Sequence, residues 1–99
     1  MQKLNSLDEL DKEKISIVKF GADWCSSCRE VQMKLDKIVD DFKELDFWEL
    51  NVDEHLALAD EYKVNELPVV IAFKKGKEIS RWVESVGDIA DWLKFLTIF

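Results

Sequence analysis

The spacing of apolar and polar positions changes several times along this chain, and each change marks an element. The β-branched run Ile15-Ser16-Ile17-Val18-Lys19-Phe20 reads as a buried strand, with Gly21-Ala22-Asp23 as the turn after it. From Cys28 to Phe42 the apolar positions Val31, Met33, Leu35, Ile38, Val39 and Phe42 fall mostly three and four apart, which predicts a long amphipathic helix. Leu45 to Val52 alternates as a second strand, and Asp53 is placed to cap a helix carrying Leu56, Ala59, Tyr62 and Val64. Pro68 opens the apolar run Val69-Val70-Ile71-Ala72-Phe73. Lys74-Lys75-Gly76-Lys77 then turns it into Glu78-Ile79-Ser80-Arg81-Trp82-Val83, a predicted β-hairpin. Gly87 and Asp88 introduce a last helix with Ile89, Trp92, Leu93 and Leu96, and near the start Ser6 is placed to cap a short acidic helix reaching about Lys14.

A helical crossover between strands, then a hairpin and a closing helix, predicts the α/β class: a central mixed sheet covered by helices on both faces. The 99 residues are 47% hydrophobic, with three glycines and one proline, and no repeat or Ser- or Pro-rich stretch divides them. A single domain over residues 1–99 is expected, large enough to bury a core without disulfide staples. Asp8, Glu9, Asp11 and Glu13 alternate with leucines and lysines as on an exposed helix.

Charge narrows the partners. With 21 acidic against 14 basic residues the formal charge is −7, which repels phosphate backbones and leaves no basic stripe for nucleic acid or anionic lipid. Met1 to Asp8 hold no apolar stretch of signal-peptide length, and no later run reaches the roughly 18 apolar residues of a membrane span, so the expected address is the cytoplasm. Both cysteines lie in Cys25-Ser26-Ser27-Cys28, at the start of the long helix, where two thiols can close a disulfide within one turn. In a reducing compartment such a pair is transient and catalytic, or binds a metal, rather than acting as scaffold. A closed zinc site takes four ligands, whereas the chain adds no other cysteine and only His55, so no metal is expected.

The chain resembles the thioredoxin family in its small single-domain form. The likeness rests on Val18-Lys19-Phe20-Gly21-Ala22-Asp23-Trp24-Cys25-Ser26-Ser27-Cys28, then Asn51-Val52-Asp53, Leu67-Pro68, and Phe73-Lys74-Lys75-Gly76, in order and spacing across nearly the whole chain. The resemblance implies that Cys25 is the exposed nucleophile, Cys28 the buried resolving thiol, and Pro68 a cis-proline beside the disulfide. It also implies that Leu67 offers its backbone to an extended substrate and that Trp24 is a partly exposed platform next to it. The implied activity is reduction of protein disulfides by thiol–disulfide exchange. The implied partners are disulfide-containing proteins and a thioredoxin-reductase-like or other dithiol electron donor, with no cofactor beyond the Cys25–Cys28 disulfide and a monomeric state.

The helix start alone does not activate Cys25. A macrodipole contribution of about 0.3 to 1 kcal/mol is only about 0.2 to 0.7 of a pKa unit, so direct hydrogen bonds from backbone N–H groups and from the Cys28 thiol must supply the rest. Three departures from the family pattern bear on this chemistry. Ser26-Ser27 replaces the usual Gly-Pro and changes the redox poise, with a sign that spacing does not reveal. Met33 replaces a mid-helix proline, so less kink is expected. Lys19 stands where many relatives bury an aspartate, and Glu49 where they carry a lysine, which predicts a buried or half-buried ion pair of reversed polarity. In the functional reading Lys19 carries the proton of Cys28 or lowers its pKa; in the bland reading the pair is charge-swapped packing.

Trp48 and Trp82 read as structural strand residues, His55 as solvent-facing near a helix start, and Trp92, Phe95, Ile98 and Phe99 as a C-terminal helix docked on the sheet in preference to a contact surface for another chain. Two alternatives keep the fold: a binding module with little or no turnover, using the surface around Trp24, Leu67 and Pro68, and a glutaredoxin-like protein. The second lacks support because the paired glycines that help hold glutathione are missing.

Overall fold

The computed structural model describes residues 1–98. Five strands form one mixed sheet: β1 (Gln2–Lys3), β2 (Ile15–Gly21), β3 (Leu45–Asn51), β4 (Val69–Lys74) and β5 (Lys77–Trp82), in the order β1-β3-β2-β4-β5. The pairs β1–β3 and β3–β2 are parallel; β4 runs antiparallel to β2, and β5 to β4. Helix α1 (Ser26–Ile38) makes the crossover from β2 to β3, α2 (Leu56–Glu61) precedes β4, and α3 (Ile89–Leu96) closes the chain.

Every residue of β2 is buried, as a central strand covered on both faces requires. Its alternation divides the core. Ile15 and Ile17 join Val31 and Leu35 of α1, Val70 and Ala72 of β4, and Ile89, Trp92, Leu93 and Leu96 of α3. Val18 and Phe20 join Leu50, Val69, Ile71 and Phe73 with Ala59 of α2. Lys19 shares the parity of Ile15 and Ile17 and so looks toward α1, and its in-register neighbour Glu49 shares that face.

Several boundaries differ from the sequence expectation. Ser6 and Glu9 do form a capping box, but the helix it opens is one 3₁₀ turn, Leu7–Glu9. The chain then turns to bury Leu10, and residues 11–14 run on without helix. The long helix ends at Ile38, followed by a 3₁₀ turn Val39–Asp41, because Phe42 must drop into the core. Asp53 does not cap the second helix: Asn51 caps a 3₁₀ turn, Val52–Glu54, and His55, half-buried, precedes α2 with no side-chain cap. Lys75 and Gly76, at φ of 53° and 76°, make the hairpin turn, the left-handed pair that matches strand twist. Strand β1, too short to show a period, was not anticipated. Trp92 is buried with α3 and its indole N–H donates to Ser80 Oγ at 2.9 Å, whereas Phe95 and Ile98 are exposed and Phe99 lies outside the described residues.

Candidate functional site

The site begins where β2 stops. Gly21 ends the strand against Cys28: a methyl group placed on it would meet Cys28 Sγ at 3.4 Å and the Lys19 Cε at 3.6 Å. The chain then turns through Ala22 to Trp24, with the Cys25 N–H donating to the Ala22 carbonyl at 3.2 Å, and Cys25 becomes the N-cap of α1 in an extended conformation.

Cys25 and Cys28 are joined as a disulfide. Capping residues present a side-chain acceptor to the free N–H groups of the first turn; here that acceptor is Cys25 Sγ, which receives the Cys28 N–H at 3.2 Å. A hydroxyl joins it, with Ser27 Oγ 3.4 Å from the same sulfur. The cysteines differ little in exposure, 6% for Cys25 and 2% for Cys28, so the closed pair lies largely beneath the surface.

The Leu67–Pro68 peptide is cis. Pro68 is buried and Leu67 half-buried, and together with Ser27, Val83 and Glu84 they line a surface groove. Trp24 is 69% exposed. Its indole N–H donates to Asp53 Oδ2 at 2.9 Å, which fixes the ring and explains why Asp53 is not a helix cap.

Behind Cys28 a cleft of about 360 Å³ is lined by Lys19, Gly21, Cys28, Gln32 and Glu49 among others. Lys19 is 8% exposed. Its Nζ stands 4.0 Å from Glu49 Oε2, an ion contact outside hydrogen-bond reach, and the Glu49 carboxylate is half in solvent. The expected half-buried ion pair of reversed polarity is present only as this long contact, and no hydrogen bond joins the two side chains. Lys19 donates instead to Gln32 Oε1, while Gln32 Nε2 donates to Asp36 Oδ1 at 2.8 Å. The physical reason is depth: the two share a face, but Lys19 is buried against Gln32 of α1, whereas Glu49 lies at the cleft mouth where water solvates it. Burial pushes the Lys19 pKa below its ordinary value, opposed by the Glu49 and Asp36 charges.

Sequence reasoning missed Gln32, Asp36 and Ser27. A signal existed: Cys28, Gln32 and Asp36 are four apart, one stripe of α1, but which strand residue faces that stripe is not a local property. Among the described residues no group of three or more His, Cys, Asp or Glu is arranged to hold a metal ion, and no helix is long and apolar enough to cross a membrane.

A disulfide closed across the first turn of a helix at the end of a central strand, with a cis-proline lining one groove with Ser27 of the same turn, defines a thiol–disulfide oxidoreductase. The comparisons agree on the class and narrow it. The thioredoxin family model matches residues 2–95, and the chain belongs to the thioredoxin family. It is 35% identical over 78 residues to Thioredoxin H2 of Arabidopsis thaliana, covering 79% of the chain and 59% of that protein. To the thioredoxin of Mycoplasma genitalium it is 33% identical over 82 residues, covering 82% of the chain and 80% of that protein. The oxidised mitochondrial thioredoxin 3 of Saccharomyces cerevisiae superposes with a TM-score of 0.74 at 28% identity, covering 84% of the chain and 82% of that structure.

Proposed function

We propose that the chain, acting as one unit and as a monomer, reduces disulfides in other proteins. A thioredoxin-reductase-like or other dithiol donor in the reducing cytoplasm then recharges it. The observation that carries the reading is the Cys25–Cys28 disulfide at the N-cap of α1, with two donors already aimed at Cys25 Sγ. Hydrogen bonds to the charged form lower a thiol's pKa, so Cys25 is the nucleophile. Its thiolate attacks one substrate sulfur and bonds to it as a mixed disulfide, the substrate S–S bond breaks, and the other substrate sulfur leaves as a thiolate and takes a proton from water. Cys28 then loses its proton to water and attacks Cys25 Sγ, expelling the second substrate thiolate. Two electrons pass from the pair to the substrate, and the protein is left oxidised.

Trp24, Leu67 and Pro68 bind the substrate in this scheme: the indole is an exposed apolar platform on one side of the pair, and the Leu67 backbone offers hydrogen bonds to an extended chain on the other. Lys19, with Glu49 as its outer counter-charge, tunes the Cys28 thiol. A positive charge behind a thiol favours its thiolate, the form needed for the second attack.

Reduction of insulin with a dithiol donor tests the reading. Wild type is expected to turn over, Cys25→Ser to show no cysteine-dependent rate, and Cys28→Ser to stop at the mixed disulfide, visible as a trapped covalent complex. Turnover surviving both substitutions, or a wild type with none, would overturn it.

A further inference from the structure

Ser27 sits where the redox sulfur and the groove meet. Its Oγ is 3.4 Å from Cys25 Sγ, and the same residue lines the groove with Leu67, Pro68, Val83 and Glu84. With the disulfide closed Cys25 Sγ carries no proton, so the hydroxyl is the donor and the sulfur the acceptor. The Cys28 N–H, at 3.2 Å, is fixed by the backbone; the hydroxyl is a rotor that can follow charge as it develops.

Resting on the oxidoreductase reading above, we propose that Ser27 is a catalytic residue: its hydroxyl donates to the Cys25 thiolate of the reduced protein and stabilises that charge. A thiolate accepts far more strongly than a disulfide or a thiol sulfur, so the bond favours the reduced, ionised state over the others. A proline or glycine at this position would offer no donor. This supplies the sign that the serines alone did not reveal: the poise shifts toward the dithiol, making the protein a weaker reductant than the same chain without the hydroxyl.

The kinetic consequence has two directions. Lowering a thiol's pKa by about one raises its thiolate fraction about tenfold below that pKa. With a Brønsted coefficient of about 0.4 to 0.5, it also lowers the reactivity of each thiolate about threefold. Net attack is therefore about threefold faster at a pH below the pKa and about threefold slower above it. On recharging, the donor's first thiolate attacks Cys25 Sγ and Cys28 leaves. The donor's second thiol, deprotonated by solvent, then attacks the donor sulfur of the mixed disulfide, and Cys25 leaves as a thiolate. A stabilised thiolate leaves faster, so the same hydroxyl also assists recharging.

The test is the pH profile of alkylation of Cys25 by iodoacetamide in the reduced full chain, for wild type, Ser27→Ala and Ser27→Thr. Alanine is tolerated in the first turn of a helix, so folding does not confound the comparison. The alanine variant is expected to show an apparent pKa higher by about one. Its rate should be about threefold below wild type at neutral pH and about threefold above it once both thiols are ionised. Threonine should restore the wild-type profile. Superimposable profiles, a rate change that is the same at every pH, or a shift that threonine fails to reverse would each overturn the proposal. Alkylation needs no protein substrate, so a wild type that fails to reduce insulin would sink the proposed function and leave this result to be read separately.

Discussion

At the residue scale the least ordinary feature is a lysine in the middle of a central strand. Lys19 is 8% exposed, and its polar contacts are one amide oxygen and a carboxylate at 4.0 Å. Removing one partner of a tight buried pair is costly, but removing a buried charge whose counter-charge remains solvated is not. Lys19→Met, of similar length, is therefore expected to stabilise the protein by about 1 kcal/mol near neutral pH, read as a higher urea midpoint. The pH dependence has a definite sign. Because burial lowers the folded-state pKa of Lys19, the unfolded chain binds more protons as pH rises from that value toward the ordinary lysine value, and wild-type stability rises there. The advantage of methionine should shrink across the same window; an advantage that grows with pH would contradict the assignment. Lys19 and Glu49 were legible as neighbours through the family resemblance, whose paired positions they occupy, and the strands do pair them in register. Gln32 was not, because the amide comes from a helix whose rotation about its axis depends on packing.

At the element scale the chain is held by its two long helices on one face of the sheet. The docking of α3 depends on its start: Gly87 adopts φ of 127°, and Asp88 Oδ1 receives the Ala90 and Asp91 N–H groups at 2.7 and 3.4 Å. Asp88→Ala should cost about 1 kcal/mol and lower the urea midpoint without moving the thiol titrations, since among the described residues no hydrogen bond or ion pair joins that cap to the cysteines. A shift in Cys25 reactivity would show that the apolar core shared by α1 and α3 carries the change to the site. The periods of three and four announced α1 and α3 well, because an apolar stripe is a local record of what a helix buries. Boundaries were less legible. Asp53 reads as a cap by type, yet its carboxylate is taken by the Trp24 indole from 29 positions away, and His55 is left at the helix start.

At the scale of the whole molecule the net charge of −7 acts on partners rather than on the fold. Glu66 and Glu84 flank the groove beside Pro68, and both are exposed. A disulfide peptide carrying lysines should therefore be reduced faster at low salt. Raising ionic strength from about 0.01 M to about 0.15 M shortens the screening length from about 30 Å to about 8 Å, and should slow that peptide while speeding an acidic one. Identical salt responses for the two peptides, measured as second-order rate constants, would remove the steering argument.

The amino-acid pattern by itself determined the order of β2 to β5 and of the three helices, the α/β class, the two-thiol motif at a helix start and the proline ahead of the hairpin. Each of these follows from spacing within a dozen residues, where side-chain period and backbone preference act directly. The tertiary structure alone decided that Pro68 lines one groove with Ser27, that Lys19 turns to Gln32 rather than closing on Glu49, and that the Ser27 hydroxyl reaches Cys25 Sγ. Those contacts are set by strand order, helix rotation and loop geometry, which satisfy the packing of both core faces at once and leave no local trace along the chain.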